Sequence, residues 1–305
     1  MALPLLIDTD PGIDDAIAIW LALAAPELSV RGLTAVHGNG LAGACAENAI
    51  RILEAAGRSD VPVHLGAGQP LARKFSRQGW GVHGSDGLGG IGLPPAGRGV
   101  DGADAVAFLA ETLVQAAPGS IALAPIGPLT NIARLLREHP EARQGIREMV
   151  VMGGAARENG GNATPHAEYN FWLDPEAADI VCQSGVPMTL VTIETARSVA
   201  ATPARIARLA AAGTRVAGHV AALLGAYVHD GRSDALFDPL VIAYLIRPDL
   251  FVRIPAQCRV ATGEDSRLGA LLWREASEGA PHALLQAPDP DVIFDLLAQR
   301  LRQLP

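Results

Sequence analysis

The chain has 305 residues, 49% hydrophobic but only 4% aromatic, with a formal net charge of −8. That length suits one large α/β domain or two small ones, with a core of Ala, Leu, Val and Ile, as in helix-covered parallel sheets. The acidic balance and the lack of a basic cluster exclude nucleic acid and an anionic membrane surface as expected partners.

Three cysteines, Cys45, Cys182 and Cys258, are odd in number and widely spaced. They offer no disulfide framework and no zinc spacing, which fits a reducing cytosol. No basic n-region precedes an apolar stretch at the N-terminus, and the apolar run 16–25 is too short to span a bilayer. The expectation is a soluble cytoplasmic protein.

Apolar runs alternate with helical patterns along most of the chain. Strands are predicted over 3–7, 31–36, 61–65, 121–125, 148–152 and 188–191. Helices are predicted between them over 14–25, 42–56, 103–117, 131–138 and 175–184. Such alternation implies right-handed crossovers and a mostly parallel, Rossmann-like open sheet covered by helices. After Thr202 the pattern turns helical over 203–211, 214–227 and 239–245. A short strand pair, 257–262 and 268–273, and a last helix over 291–301 close the chain. Two irregular stretches, 66–102 and 153–174, are long enough to be functional loops. No repeat or low-complexity linker divides the sequence, so residues 1–305 read as one domain with a helical C-terminal part.

The densest chemistry lies at Asp8-Thr9-Asp10-Pro11-Gly12-Ile13-Asp14-Asp15, between the first strand and the first helix. Two carboxylates about 5 Å apart repel by roughly 3 kcal/mol at an effective dielectric near 20. Several such pairs need a bound cation or raised pKa values. Asp14 and Asp15 alone could simply favour a helix N-terminus, but Asp8 and Asp10 precede that helix and are not explained by it. Pro11 and the spacing argue against an EF-hand loop. His37-Gly38-Asn39-Gly40, Gly127-Pro128-Leu129-Thr130-Asn131 and Gly153-Gly154 each follow a predicted strand. Taken singly, Asn39 reads as a turn residue and Thr130 as a helix cap. A parallel topology would bring all of these to the carboxyl edge of the sheet, where ligands gather.

These segments resemble the nucleoside hydrolases, the inosine-uridine-preferring family. The Asp-rich turn looks like that family's signature. His37-Gly38-Asn39, Ile126 to Asn131, Met152-Gly153-Gly154, Gly161-Asn162, Ala167-Glu168-Tyr169-Asn170 and Phe237-Asp238-Pro239 resemble its later motifs, in order. The resemblance implies hydrolysis of a ribonucleoside to ribose and free base. It implies Ca2+ held by Asp10, Asp15, Asp238 and the Ile126 carbonyl, with a calcium-bound water activated by Asp10 as general base. Asp14, Asn39 and Asn170, with Asp238, would grip the 2′- and 3′-hydroxyls, and Asn162 and Glu168 the 5′-hydroxyl. A homodimer or homotetramer is implied as well.

One branch of the family has a proton-donating His immediately before the last calcium Asp. Here that position is Phe237, which cannot donate a proton and suits a stacking wall, so purine preference is expected. His83 is the other candidate acid. Trp80, Tyr227 and His229 are further base-side candidates, whereas Trp172 reads as core and His166 and Arg157 as solvated surface. Two other readings stay open. A haloacid-dehalogenase-like phosphatase also uses Asp-x-Asp after a first strand, and a nucleoside- or ribose-binding protein would bind without turnover.

Overall fold

The computed structural model describes residues 1–75, 81–229, 231, 233–263 and 265–305. In chain order the elements are β1 (Leu3–Thr9), α1 (Ile13–Ala24), β2 (Leu28–Ala35), α2 (Ala42–Ala55), β3 (Val63–Leu65), α3 (Ala105–Gln115), β4 (Ile121–Pro125) and α4 (Thr130–Glu138). Then come β5 (Ile146–Met152), α5 (Tyr169–Leu173), α6 (Pro175–Cys182), β6 (Met188–Val191) and α7 (Ile193–Arg197). The chain closes with α8 (Pro203–Ala210), α9 (Arg215–His229), α10 (Pro239–Ile246), β7 (Val252–Val260), β8 (Leu271–Glu275), β9 (His282–Gln286) and α11 (Pro290–Leu301).

Among the described residues, nine strands form one sheet in the order β3-β2-β1-β4-β5-β6-β9-β7-β8. The first six positions, 3-2-1-4-5-6, are the doubly wound dinucleotide-fold order, with parallel pairing throughout. β9 continues the parallel run beside β6, and β7 turns antiparallel to both β9 and β8. The strand pair expected near the C-terminus is therefore the edge of the main sheet. It reaches β6 through β9, a strand the sequence reading did not identify.

Alternation along β1 sends Leu5 and Ile7 into one core and Leu6 into the other. The first core packs α1, α2, α9, α10 and α11, and the second packs α3, α4 and α6. Trp20 of α1 is fully buried, and its indole N–H donates to the Ile52 carbonyl at 2.9 Å. All eight residues of α10 are buried, so this helix has no polar face. Pro239 opens α10 where its missing N–H costs nothing, and Asp238 immediately precedes it. Among the described residues no helix is long and apolar enough to cross a membrane.

Trp172 departs from expectation. It is 36% exposed, because α5 is only five residues long and turns Phe171, its neighbour, into the core instead.

Candidate active site

Parallel pairing of β1 with β2 and β4 places the turns after Thr9, Ala35 and Pro125 at one edge of the sheet. The aspartates diverge there. Asp8, the last but one residue of β1, accepts hydrogen bonds from Thr34 Oγ1 at 2.5 Å and Asn131 Nδ2 at 2.8 Å. Burial pushes its carboxyl up to about 7. It ties β1 to β2 and α4, and it does not line the cavity described below.

Asp15 is fully buried and accepts hydrogen bonds through both oxygens. It accepts from Thr9 Oγ1 at 2.6 Å, the Gly12 N–H at 2.9 Å and Asn39 Nδ2 at 3.3 Å. Asp10 accepts one strong bond, from the Asn39 N–H to Oδ2 at 2.6 Å. Its Oδ1 is buried with no hydrogen-bond partner, as is Oδ1 of Asp14. The Asp10 carboxylate is seated between two glycines. A Cβ on Gly127 would stand 2.6 Å from Oδ1, and one on Gly38 would overlap Oδ2. These two glycines therefore keep Asp10 in place by lacking side chains.

Asp14, Asp15 and Asp238 bring one carboxylate oxygen each within 4.8 Å of one another. Burial, then the charges of Asp14, Asp15, Asp10 and Glu168, hold the Asp238 carboxyl well above the ordinary carboxylate range. Burial and the charge of Asp15 do the same to Asp10. This is crowding that a cation relieves. The donors are all hard oxygens, which suits a hard divalent ion. The Ile126 carbonyl accepts from Asn170 Nδ2 at 3.0 Å and keeps a second lone pair.

A cavity of about 310 Å3 opens beside these carboxylates. Asp14, Asn39, Ile126, Asn162, Glu168, Asn170 and Asp238 line it, all of them predicted from sequence. Asn170 is held by its amide to the Ile126 and Met152 carbonyls. Glu168 caps α5, accepting from the N–H groups of Asn170, Phe171 and Gly154 at 2.8–3.2 Å, while burial raises its carboxyl to about 7. Thr130 does not cap α4. Its hydroxyl donates to Asp174 Oδ2 at 2.6 Å.

On the remaining wall stand Val82, His83, Tyr227, Ser233 and Phe237. His83 is 4% exposed, so its loop is no incidental surface. Its Nδ1 accepts the Ile13 N–H at 3.1 Å, which places the neutral ring's proton on Nε2. It stacks on Tyr227 with centroids 6.0 Å apart. A Cβ on Gly12 would meet the His83 ring at 2.6 Å, so glycine there admits the imidazole. His229 is corrected: it is exposed and off the cavity, because two residues along α9 from Tyr227 it lies on the opposite face. Trp80 lies outside the described residues.

Sequence reasoning passed over Tyr169 and Arg197, both in the cavity wall. The Tyr169 hydroxyl donates to the Gly38 carbonyl at 3.0 Å, joining the loops after β5 and β2. A larger cavity, about 560 Å3, runs along β7 and β8 and is lined by Arg157, His166, Arg259, Arg267 and Arg274. It contains none of the converging carboxylates, so size alone does not locate the chemistry.

The family model described as inosine-uridine preferring nucleoside hydrolase matches residues 5–296. The chain is 37% identical over 312 residues to the pyrimidine-specific ribonucleoside hydrolase RihA of Salmonella arizonae, covering 99% of each. It is similar to a solved plant nucleoside hydrolase, with TM-score 0.91 and 31% identity over 99% of each chain. It is also similar to a purine-preferring ribonucleoside hydrolase from Gardnerella vaginalis, with TM-score 0.88 and 26% identity over 98% of each chain. Matched through nearly its whole length, this chain belongs to the inosine-uridine preferring nucleoside hydrolases, hydrolases of the N-glycosyl bonds of ribonucleosides.

Proposed function

We propose that the acidic cavity hydrolyses the bond between C1′ of a ribonucleoside and its base with a divalent cation, calcium, in place. The observation that carries this reading is the convergence of Asp14, Asp15 and Asp238 within 4.8 Å beside a cavity that also presents three asparagines, Asn39, Asn162 and Asn170. Asp10, Asp15 and Asp238, with the Ile126 carbonyl, would hold the ion, and the Oδ1 of Asp10, buried with no hydrogen-bond partner, supports a place for Asp10 in that set. Calcium is favoured over magnesium because it accepts an irregular shell of carboxylates and carbonyls. When bound, such an ion offsets the crowded charge and lowers the pKa of a water in contact with it.

The chain's own groups do the rest. Asp10 takes the proton of the attacking water as general base. Asp14, Asn39, Asn170 and Asp238 hold the 2′- and 3′-hydroxyls, and Asn162 and Glu168 hold the 5′-hydroxyl. The surrounding carboxylates stabilise the positive charge that grows on the ribose as the bond to the base breaks. Measuring base released from inosine and from uridine by wild type and Asp10→Asn tests the assignment. Near-normal turnover by a folded Asp10→Asn variant removes Asp10 from the role, and wild-type binding without turnover would favour the non-catalytic reading.

On the leaving-group side two observations pull apart. Phe237 lines the cavity beside Asp238 and supports purine preference through stacking. His83 lines the same wall with an Nε2–H that can hydrogen-bond the departing base, and the RihA relatives are pyrimidine-specific, which supports a pyrimidine reading. We adopt the purine reading from Phe237. A panel of inosine, guanosine, adenosine, uridine and a nitrophenyl riboside decides between them. Uridine turnover as efficient as inosine turnover defeats purine preference, and its loss in His83→Ala then identifies His83 as the residue that assists the departing base.

A further inference from the structure

We propose that Glu194 and Arg197, on α7, are positioning residues that fix the loop carrying Asn162 and thereby set selectivity for the ribose 5′-hydroxyl. The inference rests on the placement of the 5′-hydroxyl beside Asn162 and Glu168 in the proposed function.

In the loop between β5 and α5, residues 161–167 are closed by their own backbone bonds, among them the Gly161 N–H to the Pro165 carbonyl at 3.1 Å and the Asn162 N–H to the Ala167 carbonyl at 3.2 Å. Residues 157–159 are exposed, and Asn159 sits in the left-handed region at φ 59°. Its outer part is anchored from α7. Glu194 accepts the Ala156 N–H at Oε2, at 2.8 Å, and the Arg157 N–H at Oε1, at 2.9 Å. Arg197 donates from a guanidinium nitrogen to the Gly160 carbonyl at 2.6 Å. A Cβ on Gly160 would overlap Glu194 Oε1, so the loop backbone lies directly against this carboxylate. Three points of the loop, at 156, 157 and 160, are thus held by two side chains one helical turn apart. Charge on one partner strengthens each bond.

The held segment delivers Asn162. Its Oδ1 accepts the Tyr169 N–H at 2.9 Å, and its side chain shares the cavity wall with Glu168 and Arg197. Arg197 therefore touches both the loop backbone and the cavity. A loop tied by polar bonds at an exposed surface opens locally at low free-energy cost once those bonds go. Loosening it shifts the 161–167 turn that carries Asn162 and leaves the carboxylate cluster in place, because that cluster belongs to other segments, the β1–α1 turn and the residue before α10.

The test compares uridine or inosine, whichever the wild type cleaves faster, with the matching 5′-deoxynucleoside. In Arg197→Ala and Glu194→Ala, kcat/KM for the ribonucleoside should fall roughly tenfold and that for the 5′-deoxy substrate by less than about twofold. Arg197→Lys, which can still donate to the Gly160 carbonyl, should restore most of the selectivity. Unchanged thermal midpoints would show that the variants stay folded. Equal losses on both substrates, or none on either, overturn the inference. If wild type cleaves ribonucleosides but treats both substrates alike, this inference falls and the proposed function stands. If wild type cleaves no ribonucleoside, the proposed function falls and takes this inference with it.

Discussion

Asp174 and Asp10 are both buried carboxylates at the carboxyl edge of the same sheet, with 0% and 1% of their surface exposed. Asp174 accepts from Thr130 Oγ1, the Leu71 N–H and the Ala177 N–H, so both oxygens are engaged. Asp10 has one side-chain oxygen bonded to the Asn39 N–H and one with no partner, among neighbours of its own charge. A buried carboxylate surrounded by donors holds segments together, here α4, α6 and the segment at residue 71. A buried carboxylate left short of donors costs stability unless something outside the chain completes it. Asp174 is part of the fold, and Asp10, short of a donor and beside other carboxylates, stands with the candidate chemistry.

The comparison breaks first at activity. Asp10→Asn preserves shape and removes charge, and a lost general base should cost roughly a thousandfold in kcat, about 4 kcal/mol, with little change in thermal midpoint. Asp174→Ala should do the reverse. Stranding the Thr130 hydroxyl and two N–H groups should cost about 3 kcal/mol in denaturant unfolding, while kcat of the surviving folded protein stays within a few-fold. A collapse of activity in folded Asp174→Ala, or of stability in Asp10→Asn, would reverse the roles.

His37 sharpens the comparison with a basic group. Its Nδ1 bonds the Ala67 carbonyl at 3.2 Å, while Nε2 is buried without a partner. Burial lowers its pKa from 6.5 to about 4, so the unfolded chain binds a proton there that the folded one refuses. Its share of stability is complete above pH 6.5 and is lost as pH falls toward 4, about 3 kcal/mol in all. Asp8 and Glu168, with carboxyls raised to about 7, take up protons on folding and act in the opposite sense. The difference between wild-type and His37→Gln unfolding curves isolates the histidine. Parallel curves from pH 7 to 4 would refute the claim.

The smallest effect comes from the ion. Calcium at a hundred times its dissociation constant should stabilise the protein by about 2.7 kcal/mol, read as a rise in thermal midpoint that a chelator reverses. Asp238→Asn should abolish most of that rise. A midpoint indifferent to calcium, magnesium and chelator would leave the crowded carboxylates without the partner proposed for them.

Most of the architecture was legible in the residues. β4 and β6 run where predicted because all their residues are buried and, Thr189 apart, apolar, which leaves a nearly continuous hydrophobic run. β9 was not legible. His282–Gln286 is five residues long, and only its pairing with β6 and β7 defines it. α5 and α7 are too short to show a helical period, so Arg197 at the end of α7 drew no attention. Trp172 was misread for the same reason, because a single turn does not announce which side it buries.

The residue types and their order determined the strand–helix alternation, the carboxyl edge as the place for chemistry, and the acidic turn. These depend on local pattern and on the handedness of crossovers, which a linear chain carries in full. Tertiary structure alone decided which acids work together. Asp14 and Asp15 meet Asp238 across more than two hundred residues of chain, Asp8 turns to Thr34 and Asn131, and His83 finds Tyr227. Such partnerships depend on how α10, α9 and the loop after β3 pack over β1. Neighbouring residues do not encode that packing, because the distances that matter are through space.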